Sequence, residues 1–243
     1  MEIFVPKNGI LISINNPEKA LIQKIIGTTK KLDYVVGYRI GSLPVLKNGL
    51  DSIKEIIRDR NSKPVIYDHQ KFGSDIVDKC TFEMLDAIKS CGFDGIIILP
   101  LSGKNALESI VNKCNSIQLL PVVCGDLPYN GYFSGEGGYI EQETQQHIYL
   151  KAANLGISHF VMSCNRIERI KIYCHQMDAI VGQMKIFFTA INSIECNGLP
   201  DACKQLEQNK AYAVFELEYE FETDYLANLE NFWNNFRKKI GLS

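Results

Sequence analysis

The chain has 243 residues, 46% of them hydrophobic and 22% charged, which supplies enough apolar surface for a sizeable core and excludes a disordered polymer. Lys plus Arg (26) nearly cancels Asp plus Glu (28), leaving a net charge of -2, so no overall field favours nucleic acid or an anionic membrane. Any anionic ligand needs a local site. The N-terminal MEIFVPKNG lacks a charged segment followed by an apolar run, and the longest apolar stretches, such as Gly95 to Leu101, are too short to cross a bilayer. A cytoplasmic protein with no nucleic-acid or membrane partner is expected.

Short β-rich apolar runs alternate with longer helical patterns, the signature of parallel strands joined by crossover helices. Strands are predicted at Ile10 to Ile14, Tyr34 to Ile40, Pro64 to Asp68, Gly95 to Leu99, Leu119 to Val123, His159 to Met162, Lys185 to Thr189 and Ala211 to about Leu217. Helical patterns begin near Pro17, Leu43, Thr81, Lys104, Thr144, Arg166, Leu199 and Thr223, each with one apolar face. In the last of them Tyr225, Leu226, Leu229, Phe232, Trp233 and Phe236 form a stripe that reads as barrel packing.

Eight strands, eight helices and no Pro/Gly/Ser-rich linker predict an α/β protein with one closed (β/α)8 (TIM) barrel domain over residues 1–243, near the usual size of about 250 residues. A doubly wound sheet uses fewer strands, and the G-x-G-x-x-G fingerprint of dinucleotide binding is absent after the first strand. The connection Gly125 to Ile140, GDLPYNGYFSGEGGYI, holds five glycines and lies where barrel active sites lie. It reads as a mobile lid, because its aromatics Tyr129, Tyr132, Phe133 and Tyr139 argue against disorder.

Eight cysteines form no C-x-x-C pair, and the spacings of Cys80, Cys91, Cys174 and His175 match no common zinc site, so buried free thiols and no metal are expected. His147, His159 and His175 are scattered without a nucleophile pattern.

The third strand ends in VIYDHQKFGSDI, which puts Asp68, His69, Gln70, Lys71 and Asp75 at the carboxyl end of a barrel strand, the source of catalytic residues in this architecture. A lysine between two aspartates stays protonated, since each carboxylate favours the ammonium, and can serve as a general acid. The competing reading is a solvated turn with structural ion pairs.

The run DHQKFGSDI resembles the motif of a subgroup of orotidine 5'-phosphate decarboxylases, in which Asp-His-Gln-Lys is followed by Thr-Asp-Ile. The resemblance continues through YRIGSLPVLKNGLDSIKEI, GFDGIIILPLSG and SGEGGYIEQETQQHIYLKAANLG, and so covers most of the chain. It implies a homodimeric lyase of pyrimidine biosynthesis that converts orotidine monophosphate (OMP) to UMP through a vinylic carbanion, without cofactor or metal. By that analogy Asp68 strains the substrate carboxylate, Lys71 stabilises the carbanion and delivers the proton, and Asp75 reaches across the dimer interface.

Several positions depart from the family pattern. Arg39 stands where the resemblance places a lysine, and is either a site cation or a structural partner of Asp68 or Asp75. Asn15 replaces an aspartate that contacts ribose, and could equally cap the helix opening at Pro17. Pro128 replaces a hydroxyl residue that contacts the pyrimidine, with Gly131 also among the substrate-binding positions of the lid. The phosphate grip falls to TAINSIECNG, with Ala190 and Asn192, and to AVFELEYEFE, with Glu216 and Leu217. There the glutamates would repel a phosphate, or else line a strand whose Phe215, Leu217, Tyr219 and Phe221 are buried. Asn192, Ser193, Asn197, Gly198 and backbone amides at the helix near Leu199 are the remaining candidates. Two other expectations fit the same residues: a magnesium-dependent sugar-phosphate decarboxylase or aldolase of the superfamily, and a catalytically impaired nucleotide-binding paralogue.

Overall fold

A computed structural model describes residues 8–58, 63–69, 72–127, 129–163, 166–182, 184–189, 211–218 and 225–240. Parallel strands β1 (Gly9–Ile14), β2 (Val35–Gly41), β3 (Val65–Asp68), β4 (Gly95–Ile98), β5 (Leu120–Cys124), β6 (His159–Ser163), β7 (Met184–Thr189) and β8 (Ala211–Glu218) pair in chain order. Pairing of β8 with β1, from Gly9 opposite Val214 to Ser13 opposite Glu218, closes the circle. Every strand limit lies within one residue of the sequence expectation, because each strand is a short apolar run bounded by turn residues.

Period-two alternation then divides the side chains between two cores. Ile10, Ile12, Ile14, Tyr38, Tyr67 and Phe160 point outward into the layer shared with the helices. Leu11, Ile66, Ile97, Leu120, Val122 and Val161 fill the barrel interior. Both faces of β1 to β6 are therefore apolar, as parallel sheets covered by helices require.

The helices among the described residues are α1 (Lys19–Thr29), α2 (Ser42–Asn48), α3 (Leu50–Ile57), α4 (Lys79–Ser90), α5 (Lys104–Ser116), α6 (Gln142–Asn154), α7 (Ile167–Val181) and α8 (Tyr225–Ile240). Four details differ from expectation. The single helix foreseen near Leu43 is two, separated at Gly49. The Thr81 helix begins earlier, at Lys79, because Asp78 and Thr81 form a capping box in which Thr81 is the third helical residue. At α1 the N-cap is Glu18, whose N–H donates to Asn16 Oδ1 at 2.9 Å, so Asn15 is not the capping residue. In α8, Leu229, Phe232 and Phe236 are buried and Trp233 stacks on Tyr34 at 5.8 Å, but Leu226 is 44% exposed and leaves the stripe. The helix expected near Leu199 lies outside the described residues, and no described helix is long and apolar enough to cross a membrane.

Ile96 of β4 is fully buried in the strand–helix layer, whereas Leu46 of α2 is 78% exposed. Ile96→Ala is expected to cost about 2–5 kcal/mol in urea unfolding, and Leu46→Ala less than about 0.5 kcal/mol. Equal costs would contradict this division of the core.

Candidate functional site

The apolar interior gives way to polar side chains at the carboxyl ends of the strands. Ser13 of β1 pairs in register with Arg39 of β2, and Gly41 with Asp68 of β3. Asp68 is only 3% exposed, so its charge needs a partner, and Arg39 Nη2 donates to Asp68 Oδ2 in an ion pair. The other arm of the guanidinium, Nη1, donates to Ser13 Oγ at 3.0 Å. A fork with two separated donors spans three strand ends in a way that a single ammonium cannot. Beside the pair, burial and then the Asp68 charge push the Tyr67 phenol up to about 12.

Of the predicted catalytic residues, the structure thus brings Arg39 and Asp68 together. Asp75 is exposed in the loop before α4, with local hydrogen bonds: its Oδ1 accepts from the Ile76 N–H at 2.7 Å and its carbonyl from Ser102 Oγ at 2.7 Å. Together with Ile76 and Ser102 it lines an open groove of about 490 Å³. Lys71, and with it Gln70, lies outside the described residues. His69 packs edge-on against the rings of Tyr67 and Phe72, at 5.8 and 6.2 Å.

Among the predicted substrate contacts, Asn15 follows β1 and occupies the space where a Cβ on Gly41 would sit, so the glycine is required for their close approach. Gly131 spends its N–H on Glu136 Oε2 at 3.2 Å. Glu216 and Leu217 stand on β8 level with Leu11 and Ile12. Pro128, Ala190 and Asn192 lie outside the described residues. Cys91, Cys114, Cys124 and Cys174 are buried free thiols and Cys80 is exposed. Among the described residues no group of three His, Cys, Asp or Glu side chains could hold a metal ion.

A second buried carboxylate was not singled out from the sequence. Asp126, 2% exposed and two residues beyond β5, receives hydrogen bonds from the Gln145 side chain and the Ser163 backbone N–H. Arg166, ahead of α7, donates to it from Nη1 at 3.2 Å. Below them the Tyr149 hydroxyl accepts from the Gly125 N–H at 3.1 Å and donates to the Val161 carbonyl at 2.8 Å. A Cβ on Gly125 would sit 2.8 Å from Tyr149 Cζ, so only glycine admits the ring. The one visible signal was a charged residue, Asp126, two residues beyond an apolar strand. Its partner is 40 positions away, a separation at which sequence pattern is silent.

Burial raises the Asp126 carboxyl from an ordinary 3.8 to about 6, against the opposing pull of Arg166. A raised carboxyl binds its proton more tightly in the folded state, so its contribution to stability is complete below about pH 4 and disappears as pH rises through about 6. Asp126→Asn is expected to remove that dependence, on the order of 3 kcal/mol between pH 4 and 7, in urea unfolding series at stepped pH. Parallel pH profiles for the two proteins would contradict the assignment. Separately, Arg39→Met strands a buried carboxylate and is expected to cost about 3–5 kcal/mol, most of it recovered in Arg39→Met/Asp68→Leu. A double variant no more stable than the single one would mean that the pair is not the origin of the loss.

No protein-family model matches the chain, and no curated protein matches it by sequence. Solved structures do resemble it in fold. Orotidine 5'-monophosphate decarboxylase from Methanocaldococcus jannaschii, complexed with the inhibitor BMP, superposes with a TM-score of 0.70 at 16% identity, covering 96% of this chain and 99% of that one. Another structure of orotidine 5'-monophosphate decarboxylase from the same organism gives 0.69 at 17% identity, over 96% and 98%. An uncharacterized conserved protein from Geobacillus kaustophilus gives 0.65 at 12% identity, over 95% and 99%. At these identities the likeness establishes a shared α/β barrel-type fold.

Proposed function

We propose that this chain is an orotidine 5'-phosphate decarboxylase, a carboxy-lyase converting OMP to UMP in cytoplasmic pyrimidine biosynthesis. The observation that carries the reading is Asp68, a buried carboxylate at the carboxyl end of β3, paired with a β2 cation in a barrel that matches those of orotidine 5'-monophosphate decarboxylases over nearly its full length. In this reading the domain is a complete (β/α)8 barrel.

Asp68 faces the substrate carboxylate and strains it. The bond from the pyrimidine ring to the carboxylate breaks, CO2 leaves, and the electron pair stays on the ring carbon as a vinylic carbanion. The Lys71 ammonium, three residues after Asp68, stabilises that carbanion and delivers its proton to the same carbon. No cofactor or metal enters the balance. Arg39 fixes Asp68, Asn15 hydrogen-bonds the ribose, Pro128 and Gly131 lie against the base, and the segment of Ala190 and Asn192 takes the phosphate, with Glu216 and Leu217 at the rim of the site and the carboxylate turned from the phosphate it would repel. The exposure of Asp75, beside exposed apolar Ile76, supports a homodimer in which Asp75 enters the partner's site.

One observation favours a second reading. The Arg39 guanidinium already neutralises Asp68, which would weaken electrostatic strain on a substrate and suits a nucleotide-binding paralogue with impaired catalysis.

The deciding measurement is the ultraviolet absorbance change of OMP with the wild type and Lys71→Ala, each with and without EDTA. Turnover that EDTA leaves intact and Lys71→Ala lowers by at least about a thousandfold is expected. Loss of turnover with EDTA, restored by Mg2+, would favour a metal-dependent relative. Binding of UMP by calorimetry without any turnover would favour the paralogue, and absence of both would overturn the nucleotide reading.

A further inference from the structure

The segment between β5 and α6 is closed upon itself. Ser134 N–H donates to the Ile140 carbonyl at 2.8 Å, Gly138 N–H to the Phe133 carbonyl at 2.8 Å, and Ser134 Oγ to Glu141 Oε2 at 2.9 Å. Glu136 receives the Gly131 N–H, which ties the two limbs of the loop together. Tyr132 and Phe133 are buried while Tyr129 and Tyr139 face solvent, so this unit has an inner and an outer face. A loop closed by its own hydrogen bonds and by the Tyr132–Phe133 ring contact at 4.9 Å is built to move as a body rather than by unravelling.

Arg166 joins that body to the barrel. Its Nη1 donates to Asp126 Oδ2 at 3.2 Å and to the Leu127 carbonyl at 2.9 Å, both at the root of the loop. Its Nη2 donates to Glu136 Oε1 and Oε2 at 3.3 and 3.2 Å and approaches the Tyr129 carbonyl at 3.5 Å, all within the loop. The guanidinium also lies 4.7 Å from the centre of the Phe133 ring, with Arg169 at 5.3 Å. Although Arg166 precedes a helix on the protein surface, its side chain is only 10% exposed. A planar fork with five donors meets this arrangement, whereas an ammonium could satisfy one side of it.

We propose that Arg166 is a lid-positioning residue, which holds the Tyr129–Ile140 body seated over the β5–β6 side of the barrel mouth and so sets how tightly a bound nucleotide is enclosed. The second half of this statement rests on the function proposed above; the first does not. Glu136 is the lid's half of the latch and Asp126 the barrel's half. Both acids engage one cation, so loss of either loosens the loop without removing the other tie. A cation that acts through the lid alters substrate retention more than the chemical step.

The test is hydrogen–deuterium exchange of the full-length wild type, Arg166→Ala, Arg166→Lys and Glu136→Gln, read on peptides from the lid and from β1 to β4. Expected is a rise of roughly tenfold or more in lid exchange for Arg166→Ala, a smaller rise for Glu136→Gln, partial rescue by Arg166→Lys, and unchanged strands. Unchanged lid exchange in Arg166→Ala would overturn the latch, and so would a rise spread equally over the barrel, which marks a merely structural role. If Arg166→Ala does not fold, Glu136→Gln alone decides by the same two criteria. With OMP as substrate, KM is expected to rise about tenfold or more with kcat within about threefold. An unchanged KM beside a loosened lid would overturn the link to substrate, whereas absence of turnover in the wild type would overturn the proposed activity and leave the exchange result to judge the latch.

Discussion

A charge can enter the interior of a closed parallel barrel only in company, and the pair formed by Arg39 and Asp68 follows from that constraint. Both faces of β1 to β6 bury apolar side chains, so an unpartnered carboxylate at the end of β3 would cost several kcal/mol. Arg39 removes that cost and, through Ser13, ties three consecutive strand ends to one another. The position of Asp68, and hence the point from which the loop toward Asp75 departs, depends on this contact.

The same solution recurs two strands away. Asp126 at the end of β5 is buried, and Arg166 compensates it from the segment after β6. The two pairs differ in what they connect. Arg39 links strand to strand, whereas Arg166 links the barrel to the loop between β5 and α6. Asp126 also keeps its raised pKa because desolvation exceeds the pull of its partner, so its ion pair weakens as pH falls through about 6.

An arginine in the β2 position fixes the chemistry available beside Asp68. A guanidinium holds its proton at any ordinary pH and directs two donors along set lines, so Arg39 serves as permanent countercharge and spacer but not as a proton donor. Proton delivery in the proposed reaction therefore falls to Lys71, the other cation of the β3 motif.

What the sequence determined by itself is what local physics controls. Each strand is an apolar run whose length and limits follow from flanking turn residues, and the third of them ends in a charged cluster at the carboxyl end of the barrel. The long connection between β5 and α6 was legible from its five glycines and four aromatics, since both are properties of one short segment. Boundaries set by caps were less so: Asp78 rather than Thr81 opens α4, and Gly49 divides what reads as one helix. Only the tertiary structure decided which charges meet. The sequence left Arg39 open between a site cation and a partner of Asp68 or Asp75, and strand register selected Asp68. Nothing local joined Asp126 to Arg166 or set Glu136 facing it, because ion pairs between residues tens of positions apart are products of chain closure, not of pattern.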